Sequence, residues 1–150
     1  MPHLTHMRSS SLPLTSIVHY QGQLRTQAEH LRSGNTLITD APVDNQGQGQ
    51  AFSPTDLVAT ALASCAMTII GIACAARKID VDGMRAEVVK HMDGPPRRIS
   101  GIDVDIHLPA KPYTTAQRNI IAQAAESCPV ARSLHPELQQ RLRLHWTEAE

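Results

Sequence analysis

The longest apolar segment of the chain predicts one long, buried helix. It opens with Ser53-Pro54, in which serine can cap the free amides and proline suits the first helical position. No charged residue occurs between Asp56 and Arg77, and apolar side chains fall on every face of the predicted helix. A helix that is apolar all round is buried on most of its sides. We therefore predict a central core helix from about Pro54 to Lys78.

Alternating segments elsewhere in the chain predict strands. Apolar residues alternate with polar ones over 102–108 and again over 142–146, which is the period of a half-buried strand. Residues 15–25 and 84–91 are also strand-like, and 114–127 has the pattern of a second helix. The order strands, helix, strands, helix, strand predicts an α+β fold with an antiparallel sheet.

Length and termini predict a single domain. The 150 residues fit one domain, expected over 15–150, after a flexible tail over 1–14. The first dozen residues lack the apolar region of a signal peptide, which favours a cytoplasmic protein. No run reaches eighteen consecutive apolar residues, so we expect no membrane span.

Charge and composition argue against nucleic acid as a partner. Lys plus Arg and Asp plus Glu each number 14, so the net charge is 0, and the pI is near 7.1. A nucleic-acid binder usually has a basic stripe and a high pI. Aromatic residues make up only 3% of the chain, which leaves few stacking platforms for bases. A net charge near zero favours self-association.

Two of the three cysteines lie on the predicted core helix. An odd cysteine count in a chain without a secretion signal does not indicate a disulfide framework. Cys65 and Cys74 are nine residues apart, which places them about 180° apart around a helix. Cys74, between two alanines, is predicted to be structural. The position of Cys65 fits both a small buried hydrophobe and a reactive thiol.

The third cysteine has a different setting. Cys128 precedes Pro129, which suits the first position of a short helix and would make Cys128 its N-cap. Backbone amides and the helix dipole at that end lower the pKa of a thiol, and Arg132 would act in the same direction. The alternative is a loop cysteine shielded from solvent.

Other chemical motifs give no strong signal. The chain has no C-x-x-C, and its eight histidines show no spacing typical of metal ligands, so no metal site is expected. Residues 45–50 (NQGQGQ) are predicted to form a flexible, glycine-spaced surface loop of the kind that often carries function.

Two motifs together resemble the OsmC/Ohr family of osmotically inducible protein C and organic hydroperoxide resistance proteins. They are GQGQAFSPTDLVATALASC, which ends at Cys65, and ESCPVARSL, which begins 61 residues later. The resemblance covers about residues 15–146. TDAP at 39–42 and the segment DGMRAEVVKHM resemble a less characterised OsmC-like branch of the family.

The resemblance implies a fold and a chemistry. The fold is an intertwined α+β homodimer, in which antiparallel sheets of both chains wrap two central helices, with two sites at the dimer interface. Cys65 corresponds to the peroxidatic thiol and Cys128 to its resolving partner. The implied activity is a thiol-dependent peroxidase that reduces organic hydroperoxides to alcohols. It proceeds through a Cys65 sulfenate and a Cys65–Cys128 disulfide, uses an external dithiol as reductant and needs no cofactor.

The sequence departs from the family at the residue after the helix-opening proline. The family has a glutamate there, which holds an arginine beside the peroxidatic thiol. This chain has Thr55, and its nearest acid is Asp56, about 100° further round the helix. Arg25 is the first candidate for the arginine, and Arg32 is the second.

The missing glutamate leaves other functions open. Thr55 favours a non-catalytic redox sensor, which would oxidise once without cycling, or an OsmC-like protein that binds an apolar ligand. A purely structural dimer with inert thiols would form no Cys65–Cys128 bond.

Overall fold

The computed structural model describes residues 12–149, and the chain divides into two compact units between Pro54 and Thr55. Most of the predicted tail, residues 1–11, lies outside the described residues. Residues 12–15 have no helix or strand. The prediction of a single domain over 15–150 stays a prediction.

The first unit contains one three-stranded antiparallel sheet with the order β1-β2-β3. The strands are β1 (Ser16–Gly22), β2 (Arg25–His30) and β3 (Thr36–Asp40). Gln23 and Leu24 join β1 to β2 with φ of 52° and 61°, as a tight hairpin turn requires. The register of β2 and β3 places Arg25 directly opposite Asp40.

The glycine-spaced loop that follows β3 and a 3-10 turn (Val43–Asn45) is held in place by its own backbone. The Gly47 N–H donates to the Pro42 carbonyl (2.9 Å), and the Gly49 N–H donates to the Ala41 carbonyl (3.2 Å). A β-carbon at position 47 would lie 1.7 Å from the Ala41 oxygen, and Gly49 has a φ of 61°. The loop lies at the surface as predicted, and both of its glycines serve a specific close packing.

The second unit combines three helices with a sheet of order β4-β5-β6. Its elements are α1 (Pro54–Ala75), β4 (Arg85–Asp93), β5 (Arg98–His107), α2 (Thr115–Glu126), α3 (Pro129–Ser133) and β6 (Gln139–His145). The long helix begins as predicted and ends three residues early, because the chain turns before Lys78, whose φ is 55°.

One strand pair differs from the predicted antiparallel arrangement. β4 and β5 are antiparallel, whereas β5 and β6 are parallel. The 31 residues between β5 and β6 hold α2 and α3 and carry the chain back to the other end of the sheet. Such a helical crossover is what a parallel pair needs, whereas a hairpin needs only a short turn.

The core of the second unit lies between one face of this sheet and the helices. Ile102, Val104 and Ile106 of β5 are fully buried, as the alternating pattern predicts. They belong to the same apolar cluster as Ile70 of α1 and Ile121 of α2. A capping box fixes the start of α2. The Thr114 side chain accepts from the Gln117 N–H, and the Gln117 side chain accepts from the Thr114 N–H.

Among residues 12–149, only α1 is long and apolar enough to cross a membrane, with a mean hydropathy of 2.1 over its most apolar window. The absence of an eighteen-residue apolar run therefore does not exclude a span by itself. The core helix of a soluble protein passes the same test. Six α1 residues are buried in the core of the second unit: Ala59, Leu62, Ala63, Ala66, Ile70 and Cys74.

Candidate functional site

The second unit brings two of the three thiols together. Cys65 lies half-buried on α1, and Cys128 lies fully buried just before α3. The two thiols are close enough for Cys65 to raise the pKa of Cys128, and Cys128 Sγ lies 4.0 Å from the Leu62 carbonyl oxygen. Leu62 is one helical turn before Cys65, so Cys128 packs on the same side of α1 as Cys65. Both thiols are free in this structure.

Cys128 is the N-cap of α3, with Pro129 at the first helical position, as the sequence predicts. The predicted lowering of its pKa was wrong in direction. Burial raises the pKa of the Cys128 thiol, and its interaction with the Cys65 thiol raises the pKa further. The backbone amides of Ala131 and Val130 lower it, but they do not offset the burial.

Cys74 belongs to the core and not to this pair. It is fully buried in the apolar cluster of the second unit. Burial raises the pKa of its thiol, and nearby Arg77 offsets this only in part. This is the setting of an inert structural cysteine.

The first unit contains an ion pair between Arg25 and the buried carboxylate of Asp40. Arg25 Nε donates to Asp40 Oδ1 (2.7 Å), and Nη2 donates to Asp40 Oδ2 (2.9 Å). The Asp40 side chain is fully buried, whereas the Arg25 side chain keeps 26% of its exposure. The hydrogen bond from Arg25 is the largest cause that lowers the pKa of Asp40, so the carboxylate is charged at neutral pH.

The glycine-spaced loop completes this pair. The Gln50 N–H donates to Asp40 Oδ2 (3.0 Å), and the Gln50 side-chain oxygen accepts from Arg25 Nη2 (3.0 Å). The guanidinium is therefore fixed through Nε and Nη2, and its Nη1 group has no hydrogen-bond partner among residues 12–149. A fixed guanidinium with a free N–H edge suits an anionic or oxygen-bearing ligand.

Sequence reasoning missed Asp40. The acid that holds Arg25 comes from the end of β3, 15 residues along the chain, and not from the start of α1. The one signal for it in the sequence was the TDAP segment at 39–42, whose acid is Asp40.

The acid at the start of α1 has a different partner. Asp56 Oδ1 lies 2.7 Å from Lys90 Nζ, which also donates to Thr55 Oγ1 (2.8 Å). The ammonium of Lys90, on β4, thus contacts both Thr55, which stands where the family has its glutamate, and Asp56, the residue after it. Asp56 ties the first turn of α1 to the sheet of the second unit.

The second candidate arginine has no such setting. Arg32 lies exposed in the turn between β2 and β3. It makes no ion pair or hydrogen bond with another residue of the described part of the chain. Of the two candidates, Arg25 alone is held in a fixed geometry.

A cavity of about 450 Å³ adjoins α3 in the second unit. Its apolar lining comes from four elements and includes Leu62, Ala125, Ala131, Leu142 and Leu144. Polar and charged side chains line it as well: Glu126, Gln140 and Arg141. Cys128 is not among the residues that line it.

The sheet face opposite the core carries histidines and carboxylates in pairs. The rings of His107 and His145 stack with centroids 4.6 Å apart, and their Nε2 atoms contact Glu87 and Asp105. No group of three His, Cys, Asp or Glu side chains within residues 12–149 is arranged to hold a metal ion.

Comparison with known proteins identifies the family. The model of the family described as OsmC-like protein matches residues 47–142, more than half of the chain. No curated protein sequence matches the chain.

Solved structures agree with this match. A Psychrobacter arcticus protein, named for osmotic stress induction and a detoxification response, is 48% identical, with a TM-score of 0.87. The match covers 92% of this chain and 100% of that one.

Two more distant structures share the fold. An organic hydroperoxide resistance protein OsmC from Legionella pneumophila is 19% identical, with a TM-score of 0.68 over 88% of this chain and 97% of that one. A Vibrio cholerae structure, named for organic hydroperoxide resistance, has captopril bound in one of its active sites. It is 13% identical, with a TM-score of 0.67 over 91% of this chain and 95% of that one. With its α+β fold and the match across both cysteine motifs, the chain belongs to the OsmC/Ohr family of OsmC-like proteins.

Proposed function

We propose that this protein is a cytoplasmic, homodimeric thiol peroxidase that reduces organic hydroperoxides at the expense of a dithiol. The observation that carries the proposal is the neighbouring pair Cys65 and Cys128, one thiol partly exposed on α1 and the other buried against the turn of α1 that precedes it. A peroxidatic thiol must meet the peroxide, and its resolving partner must reach the oxidised sulfur.

The chemistry uses each thiol once. The Cys65 thiolate attacks one peroxide oxygen, the O–O bond breaks, and the alcohol leaves after taking up a proton. The resulting Cys65 sulfenic acid then condenses with the Cys128 thiol, which forms the disulfide and releases water. The raised pKa of Cys128 keeps its thiol protonated, so its proton is available to the departing oxygen.

Arg25 is proposed as the cation that the reaction requires. The family resemblance supports it, together with the bidentate contact with Asp40 and the free Nη1 group. The substitution of threonine for the family glutamate then needs no loss of activity, since Asp40 supplies the acid. This weakens the argument from Thr55 for a sensor.

The test is turnover with cumene hydroperoxide and a dithiol, followed by mass mapping of the disulfide. We expect many turnovers per protein and a Cys65–Cys128 bond in the oxidised protein. Cys65→Ser should abolish peroxide consumption. A single, slow oxidation without cycling would exclude the peroxidase and favour a sensor.

Cys74→Ser is the matched control, because it makes the same substitution on the same helix. The variant should keep its turnover per folded molecule. Its free energy of unfolding should fall by about 1–2 kcal/mol, because a hydroxyl replaces a thiol inside the apolar core. Urea denaturation measures this loss. A folded but inactive Cys74→Ser protein would contradict the assignment of the thiols.

The cavity beside α3 favours a second candidate, an apolar-ligand carrier. A medium-chain fatty acid should then raise the melting temperature of the wild-type protein. Leu142→Trp, which places an indole in the cavity, should remove this effect. The carrier is excluded if the fatty acid leaves the melting temperature unchanged.

A further inference from the structure

The two thiols of the pair differ in how solvent reaches them. Cys65 is partly exposed on α1, whereas Cys128 is 0% exposed and belongs to the apolar cluster of the second unit. The cavity nearest to α3 is lined by Leu62, Ala125 and Ala131 but not by Cys128. In this structure, a molecule in that cavity meets the neighbours of Cys128 and not its sulfur.

Access decides which sulfur of a disulfide is attacked. The attacking thiolate approaches its target sulfur from the side opposite the bond that breaks. In a Cys65–Cys128 disulfide, attack on Cys128 would have to pass through the packed core. Attack on Cys65 comes from the partly exposed side of α1.

We propose that reduction has a fixed direction, in which an external dithiol attacks Cys65 Sγ and Cys128 is released into the core. Cys65 therefore carries the mixed disulfide with the reductant as well as the sulfenic acid. This inference rests on the proposed function, because it concerns the disulfide which that function forms.

The exchange balances in two steps. The first thiolate of the dithiol bonds to Cys65 as the Cys65–Cys128 bond breaks, and Cys128 leaves with the electron pair and takes up a proton. The second thiol of the reductant then loses its proton and attacks the reductant's own sulfur in the mixed disulfide. Cys65 leaves as a thiolate, and the dithiol leaves as an intramolecular disulfide, oxidised by two electrons.

The surroundings of Cys128 suit a released thiol. The backbone amides of Val130 and Ala131, at the start of α3, act to lower the pKa of Cys128 and so favour the charge that develops on its sulfur as the bond breaks. Burial then raises the pKa of the thiol, so the released Cys128 takes up a proton. A dithiol can complete the reduction with its own second sulfur, which a monothiol cannot do within one molecule.

Trapping the first step tests the proposal. In a Cys74→Ala background, diamide forms the Cys65–Cys128 disulfide without any peroxide. A short pulse of glutathione, an acid quench and alkylation with N-ethylmaleimide then mark the two sulfurs for mass mapping. We expect glutathione on Cys65 and maleimide on Cys128, in at least about tenfold excess over the reverse. Glutathione mainly on Cys128, or equally on both, would overturn the proposal.

A second measurement needs no disulfide. In the same background, dithionitrobenzoate should react with Cys65 in the Cys128→Ser protein at least about tenfold faster than with Cys128 in the Cys65→Ser protein. Equal rates in two folded variants would show that the core does not shield Cys128. That result would overturn the proposed direction of thiol–disulfide exchange.

The two proposals fail separately. If diamide gives the mapped pattern but peroxide gives no disulfide, the peroxidase is wrong and the direction of exchange stands. If peroxide is consumed through a disulfide but glutathione maps to Cys128, only the direction is wrong. If diamide forms no Cys65–Cys128 bond at all, both are wrong.

Discussion

At the scale of single residues, spacing along the chain located the thiols but not their neighbours. The half-turn between Cys65 and Cys74 could be predicted because helical geometry depends only on sequence separation. The partner of Arg25 could not, because Asp40 faces it only through the register of two antiparallel strands. Nor could the raised pKa of Cys128 be predicted. The amides at a helix start are visible in the sequence, whereas the depth of burial that outweighs them is not.

The first prediction concerns the acid that holds Arg25. Asp40→Asn removes the charge from the bidentate pair, so the guanidinium loses its fixed orientation. If Arg25 is the cation of the peroxidase reaction, the rate of Cys65 oxidation should fall by about ten- to a hundredfold. Stopped-flow oxidation with cumene hydroperoxide measures this rate.

Asp56→Asn is the control for this prediction, because it changes the acid that stands nearest to the family's position. Its partner is Lys90 and not an arginine, so the oxidation rate should stay within about twofold of wild type. If Asp56→Asn slows Cys65 oxidation strongly and Asp40→Asn does not, the acid that the reaction needs lies at the start of α1 and not at the end of β3.

At the scale of elements, periodicity predicted the helices and strands better than their pairing. The start of α1, the buried alternate residues of β5 and the short helix after Cys128 follow from local pattern and capping. The parallel alignment of β5 and β6 does not, because it depends on the path of the chain through α2 and α3. Local pattern fixes an element, whereas the direction of a strand depends on the whole connection that precedes it.

The outer face of the β4-β5-β6 sheet gives a prediction about acid stability. Asp105 contacts Arg143 through two hydrogen bonds (2.7 and 2.8 Å) and His145 through one (2.7 Å). The bonds from Arg143, and then the one from His145, hold the pKa of Asp105 well below its usual value. Asp103 is held in the same way by His91 and Arg141.

The sign of the effect follows from this lowered pKa. A carboxylate with a lower pKa in the folded state stabilises the fold fully above its unfolded pKa of about 3.9. That stabilisation disappears as the pH falls from there through the folded pKa. Asp105→Asn should therefore lower the urea midpoint at pH 7, and the difference from wild type should shrink below about pH 4.

Asp93→Asn is the control for the acid prediction. Asp93 lies exposed at the end of β4, 3.7 Å from Arg98, and a loose surface pair of this kind contributes little. Its urea midpoint should match wild type at both pH values. A difference for Asp105→Asn that is independent of pH would show that the ion pairs are not its cause.

At the scale of the whole molecule, the family model and the two cysteine motifs lead to the same family. Sequence pattern alone suggested an α+β chain that associates with itself, and the resemblance added a homodimer. The first unit offers the surface that a second copy would cover in the proposed homodimer. Its three strands bury little of their own apolar surface. Large apolar side chains remain exposed on them: Val18, Tyr20, Leu37 and Ile38.

The last prediction therefore concerns assembly. Val18 pairs with Ala28, and Ala28 with Leu37, so the three side chains form one apolar row across the sheet. Val18 is 58% exposed and Leu37 46%, which leaves apolar area for a second copy to cover. We expect a homodimer by sedimentation equilibrium at micromolar concentration. The double variant Val18→Thr, Leu37→Thr keeps or gains strand propensity but removes apolar area from the row. Because burial of apolar area contributes about 25 cal/mol per Å², the dissociation constant of the dimer should rise by at least about tenfold.

Val89→Thr makes the same change on an exposed strand position of β4, and it should leave the dimer unchanged. A monomeric wild-type protein would refute the dimer. A double variant that stays folded by circular dichroism and dimerises like wild type would show that this apolar row is not the contact. Loss of dimer in the double variant alone would place the row in the interface, because threonine keeps the β-branched shape of Val18 and introduces one at position 37, and a strand favours that shape.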